Sequence, residues 1–319
     1  MRAPHAVDLR PHSRAAADGR GRGRGRDPVV SVCLPRAVTT VNVLRVVTIN
    51  FWGVEPDVAR RLALAERQLR KMAPDVIGMQ EVRPLDGRSG RTTADELADR
   101  LGMRAVYEVA LRWDDDAFFP GHPGGEEGLA IVSRHPIAEH RVTRLPDARP
   151  TEARILLSAR VATPAGDVWC HTTHLNWRLD DGVARERQVV AVDAAIRAID
   201  TDRPQLLCGD FNATADHDEI RFLLGRTTLD GRRTHYQDAY ARVHPGEPGW
   251  TWCAQNPQTR ALRSLDIDRR IDFVFVTTRA KDGRGTVVDA DVCLAERDDR
   301  GDCCSDHYGV YADVQIAPD

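Results

Sequence analysis

Apolar residues recur along this chain in short runs that end in polar clusters, and the spacing of those runs predicts its elements. Val43 to Asn50 reads as a buried strand, and Asp57 to Met72 has helical spacing, with Leu62, Leu64, Leu69 and Met72 near one face. Asp75 to Glu81 is a second strand. Thr93 to Leu101 reads as a short helix whose Thr92/Thr93 start and Glu96 form a capping-box pattern. Arg104 to Leu111 is strand-like, and Trp113 to Glu127 is a Gly/Pro/Asp-rich loop of a size that is often functional. Gly128 to Ser133, Arg154 to Thr163 and Asp167 to His174 follow as strands, the last two joined as a hairpin by Pro164-Ala165-Gly166. Gly182 to Asp200 is a long helix, Gln205 to Gly209 a buried strand and Asp216 to Leu224 a helix. Ile271 to Thr277, Val287 to Leu294 and Tyr308 to Ile316 complete the strands. Hairpins mixed with strand-helix units predict an α+β protein with two sheets covered by helices.

Composition narrows this picture. A chain of 319 residues with 42% hydrophobic content can build one large core, so residues 41–319 are expected to form one domain. No apolar run approaches the roughly 20 residues of a membrane-spanning helix. Residues 1–40 carry eight Arg against three Asp and include a Gly-Arg repeat from Gly19 to Arg26, so they read as a disordered extension. They lack the apolar centre of a secretory signal, which favours the cytoplasm. The total charge of −3 leaves −8 on residues 41–319, which argues against tight nonspecific binding of duplex DNA. Seven Cys without a CxxC pair point to core fillers rather than a zinc cage or a disulfide framework.

The polar clusters carry the chemistry. Asn50, Gln80-Glu81, Glu127-Gly128, Thr173-His174, Gly209-Asp210-Phe211-Asn212, Arg270-Ile271-Asp272 and Ser305-Asp306-His307 all sit where apolar segments begin or end, so their side chains can gather along one rim of a sheet pair. Taken together and in this order, they resemble the endonuclease/exonuclease/phosphatase superfamily of metal-dependent phosphoesterases. The resemblance spans residues 43 to 316. It implies a four-layered α/β sandwich with two central mixed β-sheets flanked by helices.

On this resemblance Glu81 and Asp306 are expected metal ligands, with the amide oxygen of Asn50 completing the set without adding charge. The implied cofactor is Mg²⁺, with Mn²⁺ as the alternative. His307 is the expected general base or water-orienting group, with Asp272 fixing its tautomer. Residues two apart in an extended chain point the same way, so Asp210 and Asn212 share a side. Asp210 would position water or handle a proton, and Asn212 would donate to a phosphoryl oxygen. His174 resembles a second family histidine that steadies the phosphate, Glu127 occupies the position that orients it, and Arg154 resembles a phosphate-contacting arginine.

Such a set hydrolyses phosphate esters without a covalent intermediate, and the absence of GxxxxGK[ST] gives no indication of ATP-driven chemistry. The expected activity is that of a phosphodiesterase or phosphatase on a small or single-stranded phosphate ester. The alternatives are an endonuclease or exonuclease acting on DNA or RNA, and a noncatalytic binding module. Specificity is expected in the loops Trp113 to Glu127, Trp177 to Arg185 and Trp250 to Arg270, whose tryptophans, with Trp52, are candidates to stack on a ring.

Overall fold

The computed structural model describes residues 42–117, 120–121, 123–146, 152–259, 267–277 and 279–318. The expected extension over residues 1–40 lies outside them. Twelve strands among these residues form two mixed six-stranded sheets. In the first sheet, β11 (Val287–Cys293), β12 (Gly309–Gln315), β1 (Val43–Asn50), β2 (Val76–Val82), β4 (Gly125–Ser133) and β3 (Arg104–Trp113) lie in that order. The second runs β5 (Ile137–Arg144), β6 (Ile155–Thr163), β7 (Gly166–His174), β8 (Leu206–Asp210), β10 (Asp272–Thr277), β9 (Tyr236–Asp238).

The period of two along each strand decides which layer a residue enters. In β1, Leu44 and Val46 pack between the sheets against Cys170, Leu206 and Val274, whereas Val47 and Ile49 pack outward. Their outward partners are Leu62, Leu69 and Met72 of α1 (Val58–Met72) and Leu97 of α2 (Thr93–Leu101). Leu207, Phe273 and Phe275 of the second sheet pack in turn on Val189, Val192 and Ile196 of α3 (Gly182–Arg197) and on Ile220 and Phe222 of α4 (Asp218–Leu223). The result is the expected α/β/β/α sandwich. Among the described residues no helix is long and apolar enough to cross a membrane.

The sheets approach closely at Gly78, where an added Cβ would lie 2.4 Å from Cys208 Sγ and 3.0 Å from Thr172 Oγ1. Gly78→Ala is therefore expected to destabilise the protein by ~1–3 kcal/mol through overpacking. Urea unfolding should show a lower midpoint with an unchanged slope.

Several elements differ from the sequence expectation. β5 was not anticipated, because Ile137-Ala-Glu-His-Arg-Val-Thr-Arg144 is mostly polar and half-exposed, as suits an edge strand that pairs only with β6. β9 and α5 (Ala239–Val243) are too short to leave a periodic signal. β3 and β4 extend to Trp113 and from Gly125, so each takes one end of the expected loop. The capping box of α2 uses Asp95 instead of Glu96: Thr92 Oγ1 accepts from Asp95 N at 3.1 Å and Asp95 Oδ2 accepts from Thr92 N at 2.8 Å. The six described cysteines are buried and form no disulfide with one another, and burial pushes Cys303 up to about 11 and Cys304 to about 12, consistent with core filling.

Candidate active site

The same alternation that fills the space between the sheets turns polar at the strand ends. Val168 and Cys170 are followed on their face by Thr172 and His174, Leu206 and Cys208 by Asp210, and Leu44 and Val46 by Thr48 and Asn50. Register aligns these ends: Asn50 lies opposite Gln80, His174 opposite Asp210, and Asp210 opposite Asp272. The polar ends thus meet in one pocket of about 260 Å³, lined among others by Glu81, Glu127, Arg154, His174, Asp210 and His307.

Two backbone features aim the acids into it. Gly209 has φ 149°, and a Cβ there would lie 2.0 Å from the Thr173 carbonyl oxygen, so the chain turns Asp210 inward at a position closed to other residues. Glu81 has φ 52°, a left-handed conformation uncommon outside glycine, where β2 slips its register against β4. This kink turns Glu81 out of the ladder and into the pocket.

The centre of the site is a chain of acid and base groups. His307 Nδ1 lies 2.9 Å from Asp272 Oδ2, and its Nε2 lies 3.8 Å from Asp210 Oδ2. Asp210 Oδ2 also accepts from Asn50 Nδ2 at 3.1 Å and lies 3.5 Å from His174 Nε2. Burial by itself would lower His307, but the charges of Asp272 and Asp306 hold it well above its ordinary value. Burial, and then the neighbouring Asp272, push Asp210 up to about 6. His174 is shifted the other way, well down, by burial and by the charges of Arg154 and His307.

A second acidic centre adjoins it. Burial, Glu127 and Asp306 push the Glu81 carboxyl up to about 8. Asp306 is raised too, by burial foremost. A half-buried and a buried carboxyl group, each pushed toward the neutral acid, are what a divalent cation would relieve, and all-oxygen donors suit Mg²⁺ or Mn²⁺, so these residues fit such an ion. Asp210, Asp272 and His307 also present ligand atoms within 4.8 Å of one another. There, however, His307 Nδ1 and Asp272 Oδ2 already face each other at 2.9 Å, and Asp272 is wholly buried.

Some expected residues sit differently. The Asn50 amide oxygen accepts from Trp52 N at 3.0 Å, and its nitrogen faces Glu81 Oε1 at 2.9 Å and Asp210. Asn50 therefore enters the site as a bridge between carboxylates, with its oxygen engaged by Trp52 N. Glu127 does not orient His174: on β4 of the first sheet it pairs with Arg83 at 2.7 Å, and Asp210 is the carboxylate beside His174. Asn212 is left-handed at φ 50°; its N–H donates to Asp210 Oδ1 at 2.9 Å and its amide to the Leu175 carbonyl at 3.1 Å, so one of its two amide hydrogens is engaged. Arg154 lines the pocket and donates to Glu152 Oε1 at 3.2 Å.

Four supporting residues escaped the sequence reading. Arg61 donates to the carbonyls of Phe51, Gly53 and Cys304, tying the loop after β1 to the loop that carries His307. Thr251 accepts from the N–H groups of Ile271 and Asp272 through its hydroxyl and from Tyr308 N through its carbonyl. Arg83 and Glu152 line the pocket and pair with Glu127 and Arg154. Arg61 lies within a helical pattern and the others in loops, so only their long-range partners give them away.

The family model described as Endonuclease/Exonuclease/phosphatase family matches residues 47–307. A search by sequence finds no match among curated proteins. Among solved structures, an endonuclease/exonuclease/phosphatase from Beutenbergia cavernae DSM 12333 is similar with TM-score 0.64 and 25% identity, covering 86% of this chain and 72% of its own. D. rerio TDP2 complexed with single strand DNA product has TM-score 0.64 and 18% identity, over 85% of this chain and 98% of its own. The human Nocturnin catalytic domain with bound sulfate anion has TM-score 0.64 and 19% identity, over 86% and 94%.

Proposed function

Since the chain belongs to the endonuclease/exonuclease/phosphatase family, whose members are phosphoesterases and nucleases, we propose that it is a divalent-metal-dependent phosphoric ester hydrolase acting on small or single-stranded phosphate esters. The observation that carries the reading is the Asp272–His307–Asp210 chain set beside the Glu81 and Asp306 carboxyl groups.

Asp272 accepts from Nδ1 of His307 and so leaves Nε2 as the nitrogen that faces the reacting water. Because Asp272 and Asp306 hold His307 toward its protonated form, Nε2 takes the water's proton only once it is deprotonated, and Asp210 Oδ2, close to that nitrogen, is the other atom able to hold that proton. Asn50 keeps Asp210 and Glu81 apart by donating to both. Arg154 and the neutral His174, both lining the pocket, take the phosphoryl oxygens. A Mg²⁺ ion held by Glu81 and Asp306 would supply charge neutralisation at the phosphoryl group. Attack is by water, with no covalent enzyme intermediate.

The test is hydrolysis by the purified protein, with and without Mg²⁺, of supercoiled plasmid, single-stranded RNA, an aryl phosphodiester and an aryl phosphomonoester. Metal-dependent turnover of the small esters or of the single strand above the plasmid is the expected result. Preferential nicking of plasmid would replace it with a duplex endonuclease, and no turnover of any of the four would remove the reading.

A further inference from the structure

The sequence offers several tryptophans for gripping a substrate, and the structure separates them. Trp113 forms one wall of the pocket, but Arg83 lies over its ring at 5.3 Å and its indole N–H donates to the Pro123 carbonyl at 3.0 Å, so it is already part of the wall. Trp52 lies under Arg61 at 5.4 Å, and the buried Trp252 lies under Arg269 at 4.9 Å. Trp177 also has an arginine over its ring, Arg178 at 5.6 Å, but it lines the pocket and still keeps 56% of its surface exposed.

Its mounting is the more informative feature. Trp177 N donates to Glu152 Oε1 at 3.2 Å, and the same oxygen accepts from Arg154 Nη2 at 3.2 Å. One buried carboxylate atom therefore fixes both the guanidinium that lines the pocket and the backbone that carries the exposed ring. The flanking residues are pinned too: Asn176 N donates to Gln188 Oε1 of α3 at 2.9 Å, and Arg178 N donates to Asn176 Oδ1 at 2.9 Å. A ring held this way loses little freedom when a ligand stacks on it, which favours binding. The pocket volume of about 260 Å³ is near the low end for ligand sites and admits one small unit.

Resting on the phosphoesterase reading, we propose that Glu152, Arg154 and Trp177 act as one specificity element for phosphate esters that carry a planar ring. Arg154 takes a phosphoryl oxygen, Trp177 stacks on the ring, and Glu152 is the positioning residue that sets their separation. An ester bearing only an alkyl group meets half of this element.

Binding of non-hydrolysable probes to the full chain in Mg²⁺, measured by calorimetry, tests this independently of turnover. The probes are phenylphosphonate, the phosphonate analogue of AMP, and methylphosphonate. At least one ring-bearing probe is expected to bind the wild type ~10-fold or more tightly than methylphosphonate, the range that stacking on an aromatic side chain confers. Whichever of the two gains more identifies an aryl or a nucleoside ester. Trp177→Ala should erase the advantage and leave methylphosphonate binding unchanged, and Trp177→Phe should keep most of it. Glu152→Ala should weaken methylphosphonate as well as erase the ring advantage, a joint loss that Trp177→Ala does not produce. Equal binding of all three probes to the wild type, or an advantage that survives Trp177→Ala, overturns the proposal. Ester hydrolysis without a ring advantage would leave the reaction standing and remove this element; a ring advantage without hydrolysis would do the reverse.

Discussion

His307→Ala is expected to reduce metal-dependent turnover by ~10²- to 10⁴-fold, the range attached to a positioned acid-base group, with KM little changed. The size follows from the geometry. Among the described residues, His307 is the imidazole that lies beside both Asp272 and Asp210, with Nδ1 at 2.9 Å from the first and Nε2 at 3.8 Å from the second. Its removal leaves Asp210 as the sole proton-handling atom facing the water and leaves Asp272 buried without its partner. Asp272→Asn should act in the same direction but less strongly: the side-chain volume is kept, while the charge that holds the imidazole in place is lost. A loss below tenfold for His307→Ala, in a variant that melts as the wild type does, would show that the proton passes through Asp210 alone. The ratio of the two effects is therefore as informative as either value.

How much of this was legible beforehand depended on whether a signal was local. The sandwich was readable because Leu44-Val46, Cys170 and Leu206-Cys208 announce strands buried on both faces, and because Leu62, Leu69 and Met72 mark a helix with one apolar side. The rim was readable for the same reason, since the polar residue that ends an apolar alternation inherits the direction of its predecessors. What stayed hidden was pairing across the pocket. Nothing local says that Glu127 finds Arg83 and not His174, because that choice depends on the register between β3, β4 and the end of β2. The direction of the Asn50 amide is likewise set by Trp52 N and by two carboxylates distant in sequence. Glu152 carries no motif, and its place beneath Arg154 and Trp177 emerges only once the loop after β7 folds back over β6.

Glu81→Gln should produce the other large change, and it should separate stability from activity. Turnover in Mg²⁺ is expected to fall at least ~10²-fold, because several kcal/mol of charge stabilisation at the phosphoryl group depends on the ion this carboxylate holds, and each 1.36 kcal/mol is tenfold. Stability without metal should move oppositely. Burial, Glu127 and Asp306 push the folded Glu81 carboxyl up to about 8, against an unfolded value of about 4.5, so the folded chain holds this proton more tightly. The metal-free wild type then loses stability as the pH rises from the unfolded value through about 8, where the carboxyl must ionise among other acids. Glutamine keeps the shape and cannot ionise. The metal-free variant should accordingly melt above the metal-free wild type at pH 8, by at least the roughly 2–4 °C that ~1 kcal/mol produces in a domain of comparable size, and the two should converge only below the unfolded value of about 4.5. Added Mg²⁺ should raise the wild-type melting temperature more at pH 8 than at pH 6, and that increment should largely vanish in the variant. If Glu81→Gln melts lower than the wild type at pH 8 without metal, or keeps the full Mg²⁺ shift, the ion is held elsewhere, and the Asp210, Asp272 and His307 cluster becomes the place to look.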